Sequence, residues 1–301
     1  MNGFLSELGK KLADRWLELL VLPGLLWIGT LGLGVRLGQR HPFKVTQLYI
    51  GLNQLAADPA SRNLATALLA ATGLLLAAAA AGLIASALGG LLQRLWALPG
   101  HHRPLTWLLK WRRHRWDTAT EALRSAIAAA GNPALQGLDP VRTYDRARRA
   151  STRRAAVAAT RPARPTWIGD RLHATATRIN SAYGLDLDLV WPRLWTVLPD
   201  TLRADLGAAM DAYIAAARLV AWGLLYTILT VIWWPAVLAG TIVIGIGWSR
   251  ARLTTGTLTD LIETAVDLHT LDLAERLRIP APSPATVDTG RAITQYLRKA
   301  P

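Results

Sequence analysis

The chain has 301 residues, 51% of them hydrophobic, with a mean hydropathy of +0.23, which is high for a soluble globule. Its formal charge of +14 comes almost wholly from arginine, a balance that favours anionic lipid, an acidic protein face or nucleic acid. There is no cysteine, so disulfides, thiol nucleophiles and thiolate metal sites are excluded.

From the N-terminus, Lys10, Lys11 and Arg15 precede an apolar stretch, Leu17 to Gly38, long enough for one bilayer crossing. No small-residue cleavage site follows it, which argues against a signal peptide, and Pro23-Gly24 predicts a bend. Leu64 to Leu92 is a second span without a single charge. Ala215 to Trp248 is too long for one crossing, at about 50 Å against a core of about 30 Å. "IWWPA" (Ile232 to Ala236) divides it into a hairpin, with Trp233 and Trp234 as interface anchors, and a partly inserted hairpin is the alternative. The expected fold is therefore all-α, with four spans. Residues 1–96 form the first transmembrane pair, 97–206 a basic domain, 207–249 the second hairpin and 250–301 a helical tail.

Orientation follows from arginine. Arg94, Arg103, Arg203, Arg250 and Arg252 flank the spans on the side of the long loop and tail, which places both, and the N-terminus, in the cytoplasm. Arg36, Arg40 and Lys44 on the other side reduce the contrast. The Ala/Leu/Arg-rich composition fits a GC-rich bacterial genome, so the expected location is the inner membrane. Small residues recur every four positions at Ala78, Gly82, Ser86 and Gly90, at Thr30, Gly34 and Gly38, and at Ala236 and Gly240, the spacing for close helix packing or oligomerisation. Ionisable residues occur only near span ends (Glu18, Arg36, Asp211, Arg218), which argues against a pump and leaves a passive pore open.

Within the loop, the stretch His101 to Pro133 predicts one amphipathic helix, with Pro104 in its first turn, Gly131-Asn132-Pro133 as its stop, and Leu105, Leu109, Trp116, Leu123 and Ile127 near one face. Trp107 and Trp111 beside Lys110, Arg112, Arg113 and Arg115 form the pattern of a helix lying at a lipid surface, with ordinary core packing as the alternative. His101-His102 has no further ligand at metal-binding spacing, so no metal site or cofactor is expected. Arg142, Arg146, Arg149 and Arg153 step by four, three and four and align on one face of a further helix. They form either a solvated face or a site for an anionic partner: lipid headgroups first, an acidic protein second. No nucleic-acid motif accompanies them, so sequence-specific nucleic-acid binding is not expected.

"YGLDLDLVWPRLWTVLPD" (Tyr183 to Asp200) follows. Its Leu/Asp alternation from Leu185 to Leu189 predicts a short extended arm with Asp186 and Asp188 on one face. Pro192 suits a helix start, Trp191 and Trp195 would share one side as interface anchors, Arg193 would face phosphates, and Asp200 would cap the next helix. The stretch reads as a joint between domain and membrane. The region Pro165 to Pro282 resembles a group of bacterial multi-pass membrane proteins. The likeness lies in the Gly169-to-Gly184 spacing, Tyr183-Gly184, Trp191-Pro192-Arg193-Leu194-Trp195 and Leu198-Pro199, and later in Asp267, Leu268, Asp272, Leu273 and Pro280. Against that pattern Asp170 replaces an Asn, Ala176 a Glu and Arg178-Ile179 a Tyr-Pro pair, which favours a structural or binding role over a catalytic one.

No standard catalytic signature is present. The leading expectation is a membrane scaffold, sensor or signalling component whose arginine-rich domain binds an anionic partner. The alternatives are a small oligomeric pore, and an interface enzyme on lipid-linked phosphate with Asp186, Asp188 or His173 as the only nearby base. The tail is acidic, with Asp260, Glu263, Asp267, Asp272 and Glu275, and carries an apolar stripe at Leu258, Ile262, Ala265 and His269. It is expected to dock on the Gly169–Asp200 region, with Asp267 or Asp272 facing Arg171, Arg178 or Arg193.

Overall fold

The computed structural model describes residues 21–39, 42, 64–100, 103, 105–131, 139–158 and 160–298. The basic N-terminal residues, positions 17–20 of the first expected span, Arg40, Lys44 and the His101-His102 pair lie outside them. Among the described residues the regular structure is helical. The helices are α1 (Leu22–Leu37), α2 (Leu64–Ala97), α3 (Leu105–Gly131), α4 (Pro140–Val157), α5 (Trp167–Tyr183), α6 (Leu187–Val197), α7 (Asp200–Ile228), α8 (Ala236–Arg276) and α9 (Val287–Arg298). A 3-10 turn, Leu229–Val231, ends α7.

Three helical segments are long and apolar enough to cross a membrane: Leu64–Ala97, Asp200–Val231 and Ala236–Arg276. This is the mark of a membrane protein. Helix α1 is apolar but has only 16 residues. The chain forms two compact units, one from residues up to Gln93 with Ile214–Arg250, the other from Arg94–Tyr213 with Ala251–Pro301.

In the first unit, glycine decides where helices touch. A Cβ at Gly24 would fall 2.2 Å from the Ala78 carbonyl, and one at Gly240 2.8 Å from the Gly223 carbonyl. Gly89 meets the Arg218 backbone in the same way, at 3.1 Å. The buried face of α2 runs through Ala78, Ala81, Gly82, Ala85 and Gly89, whereas Ser86 and Gly90 of the expected stripe sit half-buried beside it. The chain turns at Ile232–Pro235, where "IWWPA" was expected to divide the hairpin. Gln39 secures that turn: its amide donates to the Thr230 and Val231 carbonyls at 2.7 and 2.9 Å and accepts from the Trp234 N–H at 3.1 Å. Trp233 Nε1 donates to the Pro42 carbonyl at 3.1 Å.

The second unit has a conventional core. Ile179, Leu185, Val190, Leu194, Leu198, Leu206, Leu258, Val266, Leu273 and Ile293 are buried together. Helix α6 corrects the extended-arm expectation. Only Gly184, Leu185 and Asp186 are non-helical; Leu187 opens a helix whose buried positions, Val190 and Leu194, are four apart. Burial at helical spacing outweighs the two-residue alternation, because Leu187 and Leu189 both reach the same core when the segment coils. Pro192 accordingly lies inside α6 rather than at its start, where it removes one backbone donor. Trp191 and Trp195 follow the same periodicity and pack half-buried on the core, ring centroids 6.0 Å apart.

Candidate functional site

Helices α3 and α4 pack on each other within the second unit. The buried or half-buried side of α4 is Thr143, Ala147, Ala150, Arg154 and Val157, again at helical spacing. Small residues there let the helices approach, and the Arg154 guanidinium lies 5.6 Å from the centre of the Trp116 ring. Asp139 caps α4, accepting from the Val141 N–H at 2.9 Å, and Pro140 takes the first helical position. Arg142, Arg146, Arg149 and Arg153 are all exposed, within about 60° of one another around the helix. Helix α4 holds six arginines against one acidic residue, Asp145. Asp139 at the N-cap also pairs with Arg142 at 3.5 Å, and the helix keeps an excess of positive charge. On α3, Trp107 and Trp111 are 70% and 46% exposed, and Arg115 lies over the Trp111 ring at 4.9 Å.

Arg112 does not belong to that surface. It is turned inward, and its Nη1 donates to the Arg164 and Thr166 carbonyls at 2.7 Å each and its Nη2 to the Val157 carbonyl at 2.9 Å. Asp170 lies 3.6 Å away as counter-ion and accepts from the Ala163 and Arg164 N–H groups at 2.7 and 3.2 Å. Burial pulls the guanidinium below the ordinary arginine range, and Asp170 offsets part of that effect. The guanidinium stays charged at neutral pH. Arg112 thus ties Val157 to Arg164 and Thr166, its guanidinium turned away from the exposed face. Arg113 stays exposed, although its Nε donates to the Pro162 carbonyl at 2.9 Å. Asp170, where the resembled pattern has Asn, supplies the charge that Arg112 requires.

The sequence segment 250–276 continues α8 without a break and packs along α5. Arg171 pairs with Asp260 at 2.7 Å and donates to Thr259 Oγ1 at 3.1 Å. Arg178 pairs with Glu263, which also accepts from the Thr175 hydroxyl at 2.9 Å. Asp267 accepts from the Tyr183 hydroxyl at 2.7 Å, not from an arginine. Asp272 pairs with His269 at 2.7 Å, one turn away on its own helix, and Arg193 donates to the Leu189 carbonyl at 3.0 Å. The arginine partners are therefore Asp260 and Glu263. A helix running on from residue 236 brings these two carboxylates, one turn apart, opposite Arg171 and Arg178.

A groove of about 650 Å³ lies between α5 and α9, closed at one end by the first turn of α6. His173 and Asn180 line one wall, Arg291 and Arg298 the other, and Asp186 and Asp188 the end. The three base candidates read from sequence thus share one cavity. Arg291 and Arg298 belong to α9, whose role no motif had signalled; the clue available in sequence was an apolar stripe, Ile293 and Leu297, beside the small Gly290. Among the described residues no three His, Asp or Glu side chains gather as metal ligands. No family model matches the chain, and neither a curated protein nor a solved structure matches it.

Proposed function

We propose that the chain is an integral protein of a bacterial inner membrane whose basic unit, on the cytoplasmic side, binds anionic lipid headgroups and serves as a scaffold, sensor or signalling platform there. The observation that carries this reading is the exposed arginine face of α4, held outward because the adjoining face is buried on α3. Four guanidinium groups at helical spacing present a row of charges to a phosphate surface, each contributing about 1 kcal/mol near anionic lipid at moderate ionic strength. The exposed Trp107 and Trp111 on α3 supply amphipathic rings of the kind that settle among headgroups.

The pore alternative receives less support. Gly24, Gly89, Gly223 and Gly240 make close helix contacts inside the first unit, so these small residues already have partners within one chain.

The test uses the full chain in zwitterionic nanodiscs, offered anionic or neutral vesicles. Capture of anionic vesicles alone is expected, with loss on replacing Arg142, Arg146, Arg149 and Arg153 by Gln. Equal capture by the substituted chain would show that the α4 arginines are not the lipid contact, and capture of neither vesicle would move the anionic partner from lipid to protein.

A further inference from the structure

The groove between α5 and α9 is separate from the arginine face, and its lining is chemically mixed. We propose that it binds a small zwitterion carrying a phosphate-type anion and a primary amine on one molecule, a binding site additional to the lipid-surface reading and independent of it.

The groove has the size of a small-molecule site, for which about 300–1,000 Å³ is usual. Its walls are fixed by backbone contacts. A Cβ on Gly290 would come within 1.8 Å of the Tyr183 carbonyl, so only glycine lets α9 sit against the end of α5. Gly184 there has φ +69°, the left-handed cap that α5 needs to stop. Thr294 ties the two helices further, accepting from the Asp186 N–H at 3.2 Å and donating to the Gly184 carbonyl at 3.3 Å.

Charge then selects the ligand. An anion alone would meet Asp186 and Asp188, and a cation alone would meet Arg291 and Arg298; a molecule bearing both charges meets each with its opposite. Two guanidinium groups seven positions apart on one helix suit a multiply charged oxyanion, since a single carboxylate is satisfied by one fork. The existing pairs are loose enough to exchange. Arg298 and Asp186 stand 3.4 Å apart with side chains 60% and 41% exposed, and Arg291 reaches Asp288 at 3.4 Å in open solvent. Asp186 sits at the N-cap of α6 without capping it, and Asp188, exposed, enters no ion pair among the described residues. Asn180 and His173 offer neutral hydrogen bonds from the opposite wall.

The experiment titrates the full chain in maltoside detergent with O-phosphoethanolamine, inorganic phosphate and ethanolamine, by calorimetry. Phosphoethanolamine is expected to bind at least tenfold more tightly than either fragment. Asp188→Asn should reduce it to the level of phosphate, and Arg291→Gln should weaken both phosphoethanolamine and phosphate at least tenfold. Both residues are exposed, and an unchanged thermal midpoint checks that each variant is folded. Absence of saturable binding at millimolar probe overturns the proposal, as does equal affinity for phosphate alone or indifference to both substitutions in folded protein. Repeating the titration in nanodiscs with and without phosphatidylethanolamine identifies the source. Competition by that lipid supports a headgroup, and unchanged binding supports a free amine-phosphate.

Discussion

Arg112 and Asp170 face each other at 3.6 Å with side chains only 9% and 10% exposed, and between them they hold the backbone of Val157, Ala163, Arg164 and Thr166. Arg112 also meets three carbonyls and Asp170 two N–H groups, so neither charge is stranded. The loop carries two fully buried prolines, Pro162 and Pro165, which cannot donate hydrogen bonds of their own. The ion pair supplies the order that such a loop lacks.

Removing one partner should therefore cost more than removing both. Arg112→Met leaves a buried carboxylate without its counter-ion and the Val157 and Arg164 carbonyls without their donor, with an expected loss of about 3–5 kcal/mol. Arg112→Met with Asp170→Leu should recover part of that loss. Denaturation of the full chain in detergent measures both, and hydrogen exchange of residues 158–166 should rise most in the single variant. Equal loss in the two would show that the pair acts only by packing.

The α5–α8 contact makes a second prediction. Glu263→Lys should loosen the second unit, and adding Arg178→Glu should restore it, with a coupling of about 0.5–1 kcal/mol because both side chains are part-exposed. Asp272→Lys, whose carboxylate faces His269, should change stability by less than about 0.5 kcal/mol. A double-mutant cycle on thermal midpoints decides, and a larger effect at position 272 would contradict the pairing.

Tyr183 gives a pH dependence. Its hydroxyl donates to Asp267, and that bond, more than burial, raises its pKa above the ordinary tyrosine value of about 10. The folded state thus favours the protonated phenol. Its stabilising effect is complete below the ordinary value and disappears as pH rises through the higher folded value. The stability gap between the native chain and Tyr183→Phe should be constant from pH 7 to 9 and close above about pH 10. A gap that widens with pH would contradict the donor role.

Topology is checked by single cysteines, since the chain has none of its own. Ser125→Cys and Glu275→Cys, both exposed in the second unit, should resist a membrane-impermeant thiol reagent in intact cells and react after permeabilisation. Ala57→Cys should react without it. Labelling at position 125 or 275 from outside would reverse the proposed orientation.

Much of the helical architecture was legible because it rests on local signals. The proline and tryptophans of "IWWPA" mark the hairpin turn, and the four-three-four spacing of Arg142 to Arg153 marks one side of α4. What escaped reading depends on distant partners. Arg112 looks like its exposed neighbours until Asp170 and three carbonyls surround it. Asp267 or Asp272 was expected to meet an arginine, and only the register of a 41-residue helix gives that place to Asp260 and Glu263. That helix was itself expected to change character at Trp248, where apolarity ends; backbone hydrogen bonding does not end with hydropathy. The groove was invisible because Arg291 and Arg298 come to line one cavity with Asp186 and Asp188 only where Gly290 packs on Tyr183 and Gly184 on Val287.

The central claim is that the exposed arginines of α4 meet anionic lipid. The most direct measurement places a fluorophore at Thr152→Cys, an exposed position on that helix, in the full chain reconstituted with headgroup-quencher lipid. Quenching should be stronger in bilayers containing phosphatidylglycerol than in neutral ones. It should fall to the neutral level in high salt, where the screening length shrinks to about 3 Å at 1 M, and in the variant with Gln at positions 142, 146, 149 and 153. Quenching indifferent to both lipid charge and these substitutions would contradict the account.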